Sequence, residues 1–267
     1  MNALLVTVKP VLNIFAEPSR EAEVTSQAIY GSVVEMLEQQ DTWARVRTAD
    51  DYSGWALCCD FLPQTNELDP NDALRVIQIS ANVYLEPDVT LRAPLLNLPW
   101  EARLQRVRDD GHAGDRWLRV RLLDGQGAYI QRGDVAFYPP SLTLGETLAL
   151  AHRLIGITYT WGGISTRGFD CSGFVQMLHR QHGIVIPRDA QAQADWSGFF
   201  RVSAAELIAG DVLFFGESPV AITHVGLYLG EGSFIHDTTH GHPGVQVSRL
   251  EDDHWNGLLC AQRRLKQ

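Results

Sequence analysis

Two stretches of the chain repeat each other, and that repeat limits the fold more than any other feature. Asn13-Ile14-Phe15-Ala16-Glu17-Pro18 returns as Asn82-Val83-Tyr84-Leu85-Glu86-Pro87. Trp43-Ala44-Arg45-Val46-Arg47 returns as Trp117-Leu118-Arg119-Val120-Arg121, and Gly54-Trp55-Ala56 as Gly127-Ala128-Tyr129. Within each copy, side chains of opposite character alternate, as in Trp43/Arg45/Arg47 against Ala44/Val46, and Asp- and Gly-bearing turns separate the runs. A period of two makes half-buried strands, so each copy predicts a small β-barrel of its own. The barrels are expected over 1–63 and 74–138. The polar stretch Gln64-Thr65-Asn66-Glu67-Leu68-Asp69-Pro70-Asn71-Asp72 separates them, and Pro139-Pro140-Ser141 closes the second.

A different pattern fills 143–267. Thr143 and Glu146 form a capping box, and Leu144, Leu148, Ala151 and Ile155 follow as an apolar helical stripe ending before Gly156. A second helix opens at Phe169-Asp170-Cys171-Ser172-Gly173-Phe174-Val175 and ends near His182-Gly183, with His179 and His182 as boundary residues of its last turn. Beyond Pro187-Arg188-Asp189 the pattern is one of strands, at 212–215, 223–229, 233–238, 245–247 and 258–263. Helices first and antiparallel strands afterwards predict an α+β domain. The fold class is thus multidomain, two β-barrels followed by an α+β domain.

Net charge is -10 over 267 residues, which disfavours nucleic acid and anionic membrane as partners. The four cysteines, Cys58, Cys59, Cys171 and Cys260, have neither a disulfide framework nor metal spacing. His240 and His242 lack a third ligand at useful spacing and read as a solvated loop, so no metal and no cofactor are expected. The start of the chain has no basic, apolar leader pattern, and a reducing, cytoplasmic setting is the expectation.

Cys171 begins a helix whose Phe174, Val175 and Leu178 make one buried face. The helix dipole there favours a thiolate. A cysteine nucleophile needs an imidazole beside it, and the imidazole needs an orienting group. His224 and His236 flank Gly230-Glu231-Gly232. If that is a three-residue hairpin loop, both histidines share one sheet face, with Val225, Leu227 and Leu229 on the other; a two-residue loop separates them.

These motifs, with Tyr159-x-Trp161-Gly162-Gly163, Pro187-Arg188-Asp189, Gly210-Asp211-Val212 and Thr223-His224-Val225-Gly226-Leu227-Tyr228, resemble the NlpC family of cell-wall cysteine peptidases with its papain-like core. The repeated barrels resemble bacterial SH3-like domains. The resemblance implies Cys171 as nucleophile, His224 as general base and His236 as orienting residue. Tyr159 would join the Cys171 amide at the oxyanion.

Two such barrels before an NlpC-type domain resemble YkfC-like γ-D-glutamyl-L-diamino acid endopeptidases, which implies a small peptidoglycan-derived peptide, L-Ala-γ-D-Glu-diamino acid with a free amino end, as substrate. By the same resemblance Asp189, Ala190 through its backbone, Asp170, Ser172 and Tyr52 contact substrate. Glu17 is the candidate ammonium-binding acid of the first barrel; Glu86 holds the equivalent place in the second, so Glu-Pro also fits a turn role. Arg167 and Arg188 are candidates for meeting substrate carboxylates. Two other readings remain open: an NlpC-like acyltransferase or amidase on another acyl group, and a wall-binding module with an inactive catalytic domain.

Overall fold

The computed structural model describes residues 3–64, 70–108, 115–137 and 139–266. It divides into two compact units, one of residues 1–49 and 53–140, the other of 141–267 together with Asp50–Tyr52.

The first unit holds two seven-stranded antiparallel sheets. Their strands are β1 Leu4–Thr7, β2 Val11–Phe15, β3 Val24–Ile29, β4 Val33–Gln40, β5 Trp43–Arg47, β6 Ser53–Leu57 and β7 Phe61–Pro63, then β8 Ala73–Val76, β9 Ser80–Tyr84, β10 Leu96–Pro99, β11 Arg103–Arg106, β12 Trp117–Arg121, β13 Gly127–Gln131 and β14 Val135–Phe137. The first sheet runs β3-β2-β6-β5-β4-β1-β7 and the second β10-β9-β13-β12-β11-β8-β14. Adding seven to each strand number converts one order into the other, so the sequence repeat is a repeat of topology. Each repeated segment falls on equivalent strands. Alternation does the rest: Leu12, Ile14, Ala44, Val46 and Ala56 point into one core, and Val83, Leu118, Val120, Ala128 and Ile130 into the other.

Glu17 and Glu86 occupy the same turn in the two copies. The Ser19 amide donates to the Glu17 carbonyl at 2.7 Å, and the Asp88 amide to the Glu86 carbonyl at 2.8 Å. The Glu-Pro pair therefore does a turn's work in both. Of the connecting stretch 64–72, residues 65–69 lie outside the described residues, as does Tyr138 at the end of the second copy.

The second unit begins with α1 Leu144–Arg153, closed at its start by the Thr143–Glu146 capping box. Its buried face differs from the expected stripe. Thr147, Ala151 and Leu154 are buried, whereas Leu144 and Ile155 are exposed. The buried face runs through Thr147, Ala151 and the C-cap Leu154, a stripe that apolar periodicity alone does not reveal because it includes a threonine.

A short ladder, β15 Ile164–Ser165 with β16 Gly168–Phe169, leads into α2 Cys171–Arg180. Two elements were not expected from the sequence here: α3 Ala190–Asp195 and the strand β17 Phe199–Arg201. The expected strands follow as β18 Val212–Ser218, β19 Ala221–Gly230, β20 Ser233–Thr238 and β21 Gly244–Arg249. A further short helix, α4 Asp253–Asn256, precedes β22 Leu259–Leu265. The six strands form one sheet in the order β17-β22-β18-β19-β20-β21. Of these strands, β19 and β20 pack closely against α2, and Trp255 of α4 joins Phe215, Tyr228 and Phe234 in a second core cluster.

Candidate active site

Asp170 caps α2 by accepting the Gly173 amide at 2.7 Å, which fixes the first turn and with it Cys171. The loop before the helix is pressed against that turn. The Asp170 amide donates to the Gly163 carbonyl at 3.1 Å, and a Cβ on Gly173 would lie 2.1 Å from the same oxygen. Only glycine fits there.

Cys171 is 8% exposed, and the Val225 amide of β19 faces its sulfur. The expected thiolate is not favoured in this resting arrangement. Burial pushes the thiol up to about 12, the Asp170 charge adds to it, and the Val225 amide, Arg188 and the Ser172 amide pull back. The helix end contributes only ~0.3–1 kcal/mol, less than the desolvation it faces.

His224 and His236 meet directly, with Nε2 of the first and Nδ1 of the second 2.7 Å apart. They do so through the two-residue turn that, on the sequence argument, would have separated them. The hairpin loop has two residues, Glu231 and Gly232, both at positive φ (51° and 73°), with Gly230 paired to Ser233. That loop by itself would separate the histidines. A bulge at Leu229 inserts one residue, so that Tyr228 pairs Phe234 and Leu227 pairs Ile235, and parity is restored. Carrying this register one step further sets Gly226 opposite His236, and a Cβ on Gly226 would come within 3.1 Å of His236 Cβ. Leu229, in the bulge, is only partly buried; Val225 and Leu227 fill the opposite face.

The histidine pair continues outward. His236 Nε2 lies 3.0 Å from Ser248 Oγ on β21. Trp255 stacks on His224 (centroids 4.9 Å, 29°) and stands edge-on to His236. Burial, with the charge of His254 second, lowers His224 to about 3; burial also lowers His236, with His224, His240 and His254 adding to it. Both rings are therefore neutral near pH 7 and carry one N–H each. If His224 donates through Nε2 to His236, and His236 donates through Nε2 to Ser248, then Nδ1 of His224 is a free acceptor.

The structure redistributes the other candidates. Tyr159 is half-buried and bridges Phe169. Burial and the charges of Cys171, Asp170 and Asp237 hold its hydroxyl well above the usual tyrosine range. Tyr52 hydrogen-bonds the exposed Asp189 carboxylate, bringing two of the expected substrate residues together. Ala190 is buried at the start of α3.

Asp170 and Ser172 are engaged within the protein. Arg188 Nη1 donates to Asp170 Oδ1 at 3.0 Å and to Ser172 Oγ at 2.8 Å, and its Nη2 pairs with Asp170 Oδ2. At 2% exposure Arg188 is a buried counter-ion and not a surface for substrate carboxylates; Arg167 stands exposed in the turn before Gly168. His179 is buried as well, its Nδ1 2.9 Å from the Val175 carbonyl, so it is a core histidine where a boundary position was expected. His240 stacks face to face on His254 at 3.8 Å. Among the described residues no group of three His, Cys, Asp or Glu is arranged to hold a metal ion.

Sequence reading missed Ser248, Trp255 and Asp237. Ser248 shares the parity of Gln246, opposite His236 in the ladder, so strand pairing would have pointed to it. Trp255 comes from a four-residue helix with no periodic signal.

Comparison with known proteins agrees with this architecture. The model of the NlpC/P60 family matches residues 156–264, and that of a bacterial dipeptidyl-peptidase SH3 domain matches 14–58. A γ-D-glutamyl-L-lysine dipeptidyl-peptidase of Bacillus subtilis (strain 168) is 42% identical over 254 residues, spanning 90% of this chain and 81% of the relative. The chain belongs to the NlpC/P60 family. A γ-D-glutamyl-L-lysine dipeptidyl-peptidase of Bacillus cereus is 28% identical over 80% of this chain and 67% of its own length. The crystal structure of an NlpC/P60 family protein from Bacillus cereus ATCC 10987 has the same fold, with a TM-score of 0.84 at 22% identity, over 98% of this chain and 99% of that one. Membership places the chain among the hydrolases, as a peptidase with SH3-like and NlpC/P60 parts.

Proposed function

We propose that this NlpC/P60 chain is a cysteine peptidase that hydrolyses the γ-D-glutamyl–diamino acid bond of small peptidoglycan peptides carrying a free N-terminal L-Ala. The observation that carries the reading is the 2.7 Å His224–His236 contact on a strand whose next residue, Val225, turns its amide towards the Cys171 sulfur. Cys171 attacks the γ-glutamyl carbonyl as its proton passes to Nδ1 of His224. With both groups neutral at rest, attack and proton transfer are coupled. His236 holds the imidazole, and the Cys171 amide with the Tyr159 hydroxyl meets the oxyanion. His224 then protonates the departing amine, and water, activated by the same ring, releases the dipeptide from the thioester.

Two relatives that are γ-D-glutamyl-L-lysine dipeptidyl-peptidases support this choice of substrate. An ammonium needs an anion, and Asp189, held by Tyr52, supplies an exposed one. Asp170 and Ser172 act from behind, through Arg188. A small free peptide as substrate fits an enzyme recycling wall fragments in the cytoplasm.

The test is product mass spectrometry on L-Ala-γ-D-Glu-L-Lys, its N-acetylated form and intact sacculi. Release of L-Ala-D-Glu from the free tripeptide alone is expected, with Cys171→Ala losing at least ~10³-fold in rate. Equal cutting of the acetylated peptide would remove the amino-end requirement. An unchanged rate in Cys171→Ala would overturn the mechanism.

A further inference from the structure

Asp237 follows His236 on β20 but points to the other side of the sheet, and the mechanism above makes no use of it. It is 0% exposed, and neither carboxyl oxygen has a hydrogen-bond partner. Its ladder partner is Val245, whose carbonyl accepts the Gly156 amide at 2.9 Å and whose amide donates to the Ile157 carbonyl at 2.8 Å. The carboxyl therefore lies against the segment that runs to Tyr159, and beside the entry to the nucleophile helix. The amides of Phe169 and Thr238 face it without reaching hydrogen-bond geometry. The charged group bearing on it is Asp170, an anion, and the Asp237 charge in turn bears on the Tyr159 hydroxyl. Arg188, the buried cation beside Asp170, is already spent on Asp170 and Ser172.

An ionised carboxylate with no donor and no cation is costly to bury, so the group is a neutral acid in this fold. We propose that Asp237 is a positioning residue for the reaction at Cys171 that has to stay protonated: as a neutral acid it leaves the Tyr159 and Phe169–Cys171 segments free of a further charge, and its ionisation disables the site. The inference rests on the peptidase reading above. The physical reason is the sign of the charges involved. Thiolate and oxyanion are both negative, and Tyr159 has to keep its proton to donate to the second. A new anion beside Tyr159 and Asp170 opposes both of these negative charges, while it holds the Tyr159 proton more firmly. Burial, with Asp170 second, raises Asp237 to about 8, which puts this loss on the alkaline side.

The test compares wild type with Asp237→Asn, which keeps the shape and cannot ionise, on the tripeptide from about pH 6 to about pH 9.5. Because the oxyanion exists only past the ground state, the expected change is in kcat with KM held. The ratio of variant to wild-type kcat should rise with pH above about 8, by up to about tenfold per unit for a single proton. A flat ratio across the range overturns the proposal. Should Asp237→Asn fail to fold, Asp237→Ser takes its place in the same comparison. The infrared spectrum of the wild type provides a readout without substrate: a buried carboxylic-acid band present at neutral pH, fading on alkalinisation and missing in the variant. No such band also overturns the proposal. A wild type that leaves the tripeptide uncut but shows the band strikes the substrate reading alone.

Discussion

Ser248 is the outer end of a hydrogen-bond chain that runs through His236 to His224. A neutral histidine anchors its neighbour less firmly than a carboxylate, because it lacks a charge to stabilise the imidazolium. What orientation His236 has comes from Ser248 at 3.0 Å and from Trp255 against its ring edge. Ser248→Ala removes the one polar partner of Nε2 and leaves the ring free to take the other tautomer. A neutral hydrogen bond contributes ~0.5–1.5 kcal/mol. The expected result is therefore a loss of about three- to tenfold in kcat with KM held. Steady-state kinetics on the tripeptide checks it, and an unaltered kcat would free His236 from any dependence on Ser248. Trp255 has a different part: stacked on His224, it is part of the apolar surrounding that keeps that imidazole neutral.

The position of Cys171 is set by elements and not by its own contacts. The Gly163 carbonyl sits where a side chain on Gly173 would go, 2.1 Å from an added Cβ, and backbone cannot yield as a flexible side chain does. Gly173→Ala forces the loop away from the helix start, at a cost of ~1–3 kcal/mol, and moves the sulfur with it. Calorimetry should show a lower midpoint, and kcat should fall further than the stability loss explains; a variant of unchanged midpoint would mean that the loop is not pressed there. Much of this was legible beforehand. Glycines before an Asp-Cys-Ser-Gly helix start, the capping box at Thr143 and the repeated barrel strands all rest on local chemistry. The bulge at Leu229 was not legible, because one extra residue in a strand changes no composition and no period, only the pairing. The engagement of Arg188 by Asp170 joins residues eighteen positions apart, which no spacing rule covers. The same holds for α3 and α4, too short to show a stripe.

At the scale of the molecule, these buried groups give the second unit a characteristic response to pH. Burial lowers His179 to about 4 and His224 to about 3, and lowers His236 further. Unfolded, each titrates near 6.5. Lowered histidines contribute stability that is complete above about pH 6.5 and is lost as pH falls toward their folded values, since the unfolded chain then binds the protons. Asp237 works in the other direction. Its folded value, about 8, lies above the ordinary carboxyl range, so its contribution is complete below about pH 4 and is lost as pH rises toward 8. Between about pH 4 and 6.5 three protons oppose one, a net of about two, each worth about 1.4 kcal/mol per pH unit. From about 6.5 to 8 only the carboxyl remains, and the slope reverses. Calorimetry across this range should therefore find the second unit most stable near pH 6.5, with the acid side steeper. His179→Gln should make the acid side shallower without altering kcat, and Asp237→Asn should flatten the alkaline side. A midpoint that keeps climbing to pH 8 would mean that these groups are solvated in the folded state, against the burial on which both the neutral histidine pair and the neutral Asp237 depend.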